Sequence, residues 1–252
     1  GIKLANQLHP EVLGKKVELV VADNKSDKAE AASVAARLIE KDKVSVLVGS
    51  YGSSLSMAAG NIVKENKVPA VGTSCTNPQV TANNDYYFRA CFIDPFQGTV
   101  MAKFATAELG VGNAAILIDN SSDYAKGLAQ FFKENFVKEG GAVTAEESYL
   151  QKDTDFKATL TKIKATNPDF LYVPGYYQEV GLIVKQAREL GMNMPIAGGD
   201  GWDSAKMPEI AGAAALNNTY FSSLYSPDDS SDINKNFVAA YEKAYGQKPD
   251  VF

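Results

Sequence analysis

Histidine is nearly missing from this chain: His9 is the only one in 252 residues, and it stands directly before Pro10 in a polar stretch. Nucleophilic hydrolases of the Ser-His-Asp or Cys-His kind need an imidazole that takes and returns a proton near neutral pH, and here one residue would have to serve. Cysteine is almost as scarce. Cys75 and Cys91 are too few for a zinc framework or a disulfide-dense scaffold; two small buried thiols are expected, with pairing in an oxidising compartment left open. No apolar run approaches the roughly 18 to 20 residues of a membrane-spanning helix. Basic charge is in deficit, 25 Lys and Arg against 30 Asp and Glu for a formal net charge of -5, and no basic cluster is interleaved with aromatics. A nucleic-acid footprint is therefore not expected, and a small polar or zwitterionic partner suits this balance better.

Signatures of catalysis are also missing. The chain has no GxSxG elbow, no HExxH pair and no Walker loop. Gly110, Gly112 and Ala115 have GxGxxA spacing, but they precede a predicted strand, whereas a dinucleotide fingerprint follows a strand and opens a helix. A helix end and a turn are expected there instead. No pair of carboxylates stands out as an acid/base couple. The expectation is a protein without catalytic activity, metal or cofactor.

What is present is a regular alternation. Apolar, β-branched runs recur at KVELVVAD (16–23), VSVLVG (44–49), VPAVGT (68–73), AAILID (114–119), DFLYVP (169–174) and MPIAGG (194–199). Most are separated by segments of helical period; in DKAEAASVAARLIEKDK, Ala31, Val34, Leu38 and Ile39 share one face while Lys28, Glu30 and Lys41 stay wet. Such alternation predicts parallel, doubly wound sheets built from βαβ units, in which ligands bind beyond the carboxyl ends of strands. The pattern changes at YYFRACFIDPFQG (86–98) and at YFSSLYSPDDSSD (220–232), the second read as a loop, and a run of β, α, β, α, β, α and β lies between them. Two lobes follow: residues 1–92 with 225–252, an incomplete lobe, and residues 93–224. The chain opens on GIKLANQL, already helical in pattern, and stops at KPDVF soon after another helix, which reads as a partial or processed chain.

The polar turns at strand ends carry the chemistry. VLVG runs into Ser50-Tyr51-Gly52-Ser53-Ser54 and then a helical segment, so Ser53 or Ser54 is expected as its N-cap. The same backbone N–H groups and helix-end charge can receive a carboxylate, and both readings stay open. Ser74-Cys75-Thr76-Asn77-Pro78 forms a second hydroxyl-bearing turn, on a neighbouring strand. In the other lobe DFLYVP gives way to Gly175-Tyr176-Tyr177, and MPIAGG to Asp200-Gly201-Trp202. Ordinary packing would account for Tyr176 and Trp202, and helix capping for Asp200. Together, though, the turns describe carboxylate receivers on one wall and an anion with aromatic faces on the other, which an α-amino acid would satisfy.

These segments, in this order and over essentially the whole chain, resemble the type I periplasmic binding proteins, specifically the branched-chain amino-acid (Leu/Ile/Val) receptors of ABC importers. The resemblance is carried by VELVVADNKSDKAEAASVAARLIEKDKVSVLVGSYGSS, VPAVGTSCTNPQVT, YYFRACFIDPFQG, AAILIDNSSDYAKGLAQFF, DFKATLTKIKATNPDFLYVPGYYQEVGLIVKQARELGM and IAGGDGW. It implies two Rossmann-like lobes joined by a hinge. It further implies that Ser53 and Thr76 bind the ligand carboxylate, that the carbonyl of Ser74 and the carboxylate of Asp200 take the ammonium, and that Tyr124 and Tyr176 line the cleft. Trp202, adjacent to Asp200, is expected to shape the side-chain pocket. Asp200 stands where the best-known Leu/Ile/Val receptors have Glu, and the family's first strand, the loop after it and the closing part of the usual chain have no counterpart here. The expected function is capture of a branched-chain or other apolar amino acid and its delivery to an ABC permease, by a monomer. The expected location is periplasmic or extracellular, with a lipid anchor on a cysteine preceding Gly1 left open. A ligand-sensing domain of a receptor or transcriptional regulator is the alternative.

Overall fold

The structure is a computed structural model, and residues 1–251 are described; Phe252, the end of the expected first lobe, lies outside them. Helix α1 (Ile2–Leu8) leads into a short antiparallel ladder, β1 (Glu11–Val12) with β2 (Lys15–Lys16). Then come α2 (Lys28–Glu40), β3 (Leu47–Val48), α3 (Ser53–Asn66), β4 (Ala70–Gly72) and β5 (Tyr87–Arg89). Strands β3, β4 and β5 pair in that order, in parallel, as one small sheet. Parallel neighbours need crossovers, and α3 supplies the one from β3 to β4; α2 packs beside α3, capped by Asp27, which accepts from the Glu30 N–H at 2.9 Å, with Ala31, Ala35, Leu38 and Ile39 as its buried stripe.

Helix α4 (Asp94–Lys103) then begins the larger layer. It is followed by β6 (Asn113–Asp119), α5 (Asp123–Lys138), β7 (Ala142–Tyr149), α6 (Lys157–Ala165), β8 (Phe170–Tyr172), α7 (Tyr177–Glu189), β9 (Ile196–Gly198), α8 (Met207–Ala211) and β10 (Thr219–Phe221). The five strands lie in the order β10-β9-β8-β6-β7, all parallel. Strands β8 and β9 are buried throughout, as expected of apolar runs covered on both faces. Phe132 of α5 sits in the core beneath them, 3.9 Å between ring centroids from Tyr172 and 5.9 Å from Phe170. Helix α4 lies directly on α5 because residue 98 is glycine: a Cβ there would stand 2.6 Å from the Phe131 Cβ and 2.7 Å from the Phe132 backbone nitrogen. Helix α9 (Asp232–Tyr245) is the last helix among the described residues and packs on α1.

Two expectations are corrected. Residues 17–24 form no strand; Leu19, Val20 and Val21 are exposed. A strand is stable only with a paired neighbour, and between Ala22–Asn24 and β3 lies a cavity of about 230 Å³ where a ladder would run. Residues 219–221, partly inside the expected loop, form β10 because Tyr220 and Phe221 pair with Ala197 and Gly198. Strand β7, the second strand of the expected β, α, β, α, β, α and β run, is an edge strand whose burial alternates along its length. Gly110, by contrast, adopts φ +66° in the turn before β6, a conformation open to glycine at no steric cost.

Candidate functional site

The serines of the β3–α3 turn do not cap the helix. Gly52 is the N-cap of α3, with φ +80°, and makes no side-chain bond to the helix. Its lack of a side chain is needed twice, because that φ disfavours L-residues and because a Cβ would lie 2.8 Å from the Tyr176 hydroxyl. The hydroxyls instead reach outward. Ser53, fully buried, accepts the Asn77 N–H at 3.0 Å, which fastens the two hydroxyl-bearing turns side by side. Ser56 donates to the Ser50 carbonyl at 3.1 Å. Arg89, at the end of β5, holds the second turn from behind by donating to the carbonyls of Cys75 (2.8 Å), Asn77 (3.0 Å) and Pro78 (3.3 Å) and to Thr81 Oγ1 (2.8 Å). Thr76 is fully buried, and its Oγ1 completes no hydrogen bond. Ser74 in the same turn is half-buried. Cys75 is a buried free thiol and Cys91 a half-buried one; the neighbouring Cys91 thiol and Arg89 lower the Cys75 thiol against the opposing effect of its burial.

Asp200 does not cap a helix either. It opens a single 3-10 turn after β9 and is 3% exposed. Its Oδ1 accepts from the Tyr124 hydroxyl at 2.8 Å and from Gln97 Nε2 at 2.8 Å, and its own N–H donates to Gln97 Oε1 at 3.0 Å. Burial pushes the Asp200 carboxyl up to about 6, against the lowering effect of those two donors. Tyr124, whose phenol burial and the neighbouring Asp200 keep protonated, also accepts the Gly201 N–H at 3.2 Å. The ring of Tyr176 lies between those of Tyr124 (centroids 5.2 Å) and Tyr51 (5.6 Å), so three tyrosines span from the Asp200 turn to the β3–α3 turn. Trp202 points elsewhere: its indole N–H donates to the Val173 carbonyl at 2.9 Å and its ring belongs to the hydrophobic core of the five-stranded layer. Ordinary packing accounts for it.

The structure thus gathers Ser53, Thr76, Tyr124, Tyr176 and Asp200 around one junction between the two sheets, and leaves Trp202 behind it. A cavity of about 80 Å³ remains beside Tyr51, Gly52, Ser54, Ser122 and Tyr176, against roughly 300 Å³ or more for an ordinary small-molecule site. At its rim Asp123 joins the two layers. Ser54 donates to Asp123 Oδ2 at 3.0 Å and accepts the Asp123 N–H at 2.9 Å, Lys28 Nζ lies 3.0 Å from Oδ2, and Asn77 Nδ2 donates to the Asp123 carbonyl at 2.8 Å. Partial burial opposes its charge, but Lys28, Lys126 and Ser54 outweigh that and hold the carboxyl below its ordinary range. Stability gained this way is present above the unfolded carboxylate range and lost as pH falls through the lowered value. Asp123→Ala is therefore expected to cost about 1 kcal/mol at pH 7 and less near pH 3; urea melts at both pH values measure the difference.

Residues beyond the sequence expectations are Asp94, Gln97, Arg89, Asn77 and Asp123. Asp94 and Gln97 carried a readable signal, two polar residues three apart on one helix face in FIDPFQG. For the others no local pattern distinguishes a buried tether from an ordinary surface polar residue.

The model of a family described as periplasmic binding protein matches residues 1–252. Among curated relatives, an amino acid binding protein of Pseudomonas aeruginosa is 32% identical over 200 residues, which are 79% of this chain and 53% of that protein. The chain spans little more than half the length of that relative. A leucine-binding protein of Thermotoga maritima superposes with a TM-score of 0.96 at 42% identity, covering 99% of this chain and 71% of that one. A branched-chain amino acid transporter substrate-binding protein of Streptococcus pneumoniae, solved with isoleucine, gives 0.91 at 38% identity, with 99% and 72% covered. A solute-binding protein of Rhodopseudomonas palustris, solved with 3,4-dihydroxybenzoic acid, gives 0.84 at 28% identity, with 99% and 69% covered.

Proposed function

Because this chain belongs to the periplasmic binding protein family, we propose that it captures an α-amino acid with an apolar side chain between its two layers, outside the cytoplasm, and presents it to an ABC importer. The single observation that carries the amino-acid reading is the buried carboxylate of Asp200. A charge costs several kcal/mol to bury unless it is paired, and its two donors here, Tyr124 and Gln97, are neutral. A ligand ammonium would supply the missing cation. For the ligand carboxylate, the opposite wall offers the first N–H groups of α3, which have no intrahelical acceptor, and the hydroxyl of Thr76. The isoleucine bound by the Streptococcus relative supports the same class. An aromatic acid of the kind bound by the Rhodopseudomonas relative has no ammonium to offer.

The division into lobes, 1–92 with 225–252 and 93–224, is proposed with it. The chain leaves β5 at Arg89 and enters α4 at Asp94, and α9 packs on α1. Ligand entry would separate the walls and break the Asp123 contacts, and contacts of the ligand to both walls would favour closure. The protein acts as a monomer, without catalysis and without a bound cofactor.

A thermal-shift screen tests the reading. Isoleucine, leucine or valine at 100 times its dissociation constant should stabilise by about 2.7 kcal/mol, whereas 3,4-dihydroxybenzoate and des-amino analogues should not. Thr76→Val should lose the shift while folding normally. Stabilisation by the aromatic acid alone would replace the amino-acid reading with an aryl-carboxylate one.

A further inference from the structure

The chain has two cysteines in 252 residues, and the fold sets them side by side. Strands β4 and β5 are parallel neighbours with Gly72 and Arg89 in register, and the Ala90 N–H donates to the Gly72 carbonyl at 2.9 Å. The two segments therefore leave the sheet together, at the roughly 4.7 to 4.9 Å spacing of paired strands. Cys75 lies three residues beyond Gly72, and Cys91 two beyond Arg89. Arg89 donates to the Cys75 carbonyl at 2.8 Å, which keeps the first segment against the second. The Cys75 sulfur is folded back over β4, where a Cβ on residue 72 would collide with it; residue 72 is glycine. Cys75 is fully buried in a cluster with Val63, Ala70 and Tyr87, while Cys91 keeps contact with solvent. The thiols are near enough for each to shift the other's proton. Cys91, helped by Arg89, lowers the Cys75 thiol against its burial, and Cys75 together with burial raises the Cys91 thiol.

A buried free cysteine is ordinarily a small apolar residue, and one alone would be read so. Two that meet beyond neighbouring strand ends, in a periplasmic binding protein, are placed where oxidation is possible. We propose that Cys75 and Cys91 are a redox pair whose disulfide fastens the turn carrying Thr76 to the end of β5 and so readies that turn for binding. The spacing of neighbouring strands falls inside the Cα separation of about 4.4 to 6.8 Å that a disulfide spans.

The oxidant is a second disulfide, small or on a protein, and the exchange balances. Cys91 is the reachable sulfur; its thiolate attacks the oxidant, forms a mixed disulfide and releases one thiol. The Cys75 thiolate then attacks the Cys91 sulfur, closes the Cys75–Cys91 bond and releases the second thiol. Two electrons and two protons pass from the chain to the oxidant, which ends as two thiols. The lowered Cys75 thiol suits the second step, because the thiolate is the nucleophile.

Thr76 directly follows Cys75. In the dithiol form Arg89 and Ser53 hold the turn through backbone groups of Cys75, Asn77 and Pro78, and such bonds can open one at a time. A covalent tether limits those openings, so less ordering is left to be done when a ligand binds. This effect on affinity, unlike the bond itself, rests on the amino-acid reading above.

The test equilibrates the purified protein with oxidised or reduced glutathione, blocks free thiols, digests without reduction and weighs the peptides. Oxidised glutathione should yield a linked pair of peptides containing Cys75 and Cys91, and reduced glutathione should separate them. The melting temperature should be higher in the oxidised form by roughly 5 to 10 °C, and the affinity for isoleucine by about three- to tenfold. Cys91→Ser, at the half-buried member, should fold and lose all three differences. Thiols that stay free in oxidised glutathione, or that pair only between molecules, overturn the proposal without any variant. So does a linked protein whose melting temperature, or whose measured affinity for isoleucine, equals that of the dithiol form. A linked pair with a raised melting temperature, in a protein that binds isoleucine in neither state, upholds the fastening of the turn and overturns the amino-acid reading.

Discussion

Asp200→Ala is expected to lower affinity for isoleucine by at least about a hundredfold, on the order of 3 kcal/mol, while leaving the fold intact. The binding loss follows from burial. Asp200 is 3% exposed and held by two directed hydrogen bonds, so an ammonium that reaches it does so with little water left to share the charge. Removing one partner of a buried ion pair costs about 3 to 5 kcal/mol because the other charge stays behind unpaired. The fold should survive because the carboxylate is a burden to the ligand-free protein. Its folded value, about 6, lies above the ordinary carboxylate range. Such a group favours the native state only at low pH and loses that contribution as pH rises through about 6. At pH 7 its loss is not expected to destabilise through charge. Titration calorimetry together with a thermal melt separates the two effects: unchanged affinity would remove Asp200 from the site, and a collapsed melt would show it to be a structural group.

Phe132→Ala should have the largest effect on stability, about 3 to 5 kcal/mol, measured as a lower urea midpoint with an unchanged slope. The ring is completely buried and stacks on Tyr172, Phe136 and Phe170 at once. Its loss leaves a cavity under β8 that a parallel sheet covered on both faces cannot close by shifting one side chain. Helix α5, which carries Phe132, also presents Tyr124 and Asp123 at its first turn. Weakened isoleucine binding should therefore accompany the stability loss, and should recover in Phe132→Leu more than in Phe132→Ala. A change under about 1 kcal/mol would mean that this layer repacks far more freely than native interiors do.

How much of this was legible in the sequence depended on whether a signal was local. Strands β4, β6, β8 and β9 and helices α2, α3 and α5 were readable because apolar periodicity and buried face coincide within a few residues. Strand β7 was harder, since as a partly buried edge strand it carries Glu146 on one face and Glu147 on the other, paired with Lys133 of α5 and Lys162 of α6. The 16–23 run misled for the opposite reason: β propensity was present, and a paired neighbour was not. At the site, the turns at Ser53, Thr76, Tyr176 and Asp200 were legible as polar residues at strand ends, and Tyr124 through resemblance. Their partners were not. Ser53 or Ser54 was expected as the cap of α3, a place Gly52 takes, and Ser53 receives an N–H from residue 77. Trp202 was expected in the pocket and faces the core.

By itself, then, the sequence determined the alternation of strands and helices, the poverty in catalytic groups, and the strand-end turns where a zwitterion could be held. Each of these depends on residues within one turn of chain. Only the tertiary structure decided which hydroxyls cap and which bridge, that three tyrosines line up between the layers, and that Asp94 and Gln97 stand beside Asp200 about a hundred residues away. Those outcomes turn on desolvation and on contacts between distant segments. A carboxylate reads the same in a sequence whether water or a buried amide meets it, and that difference decides what it can bind.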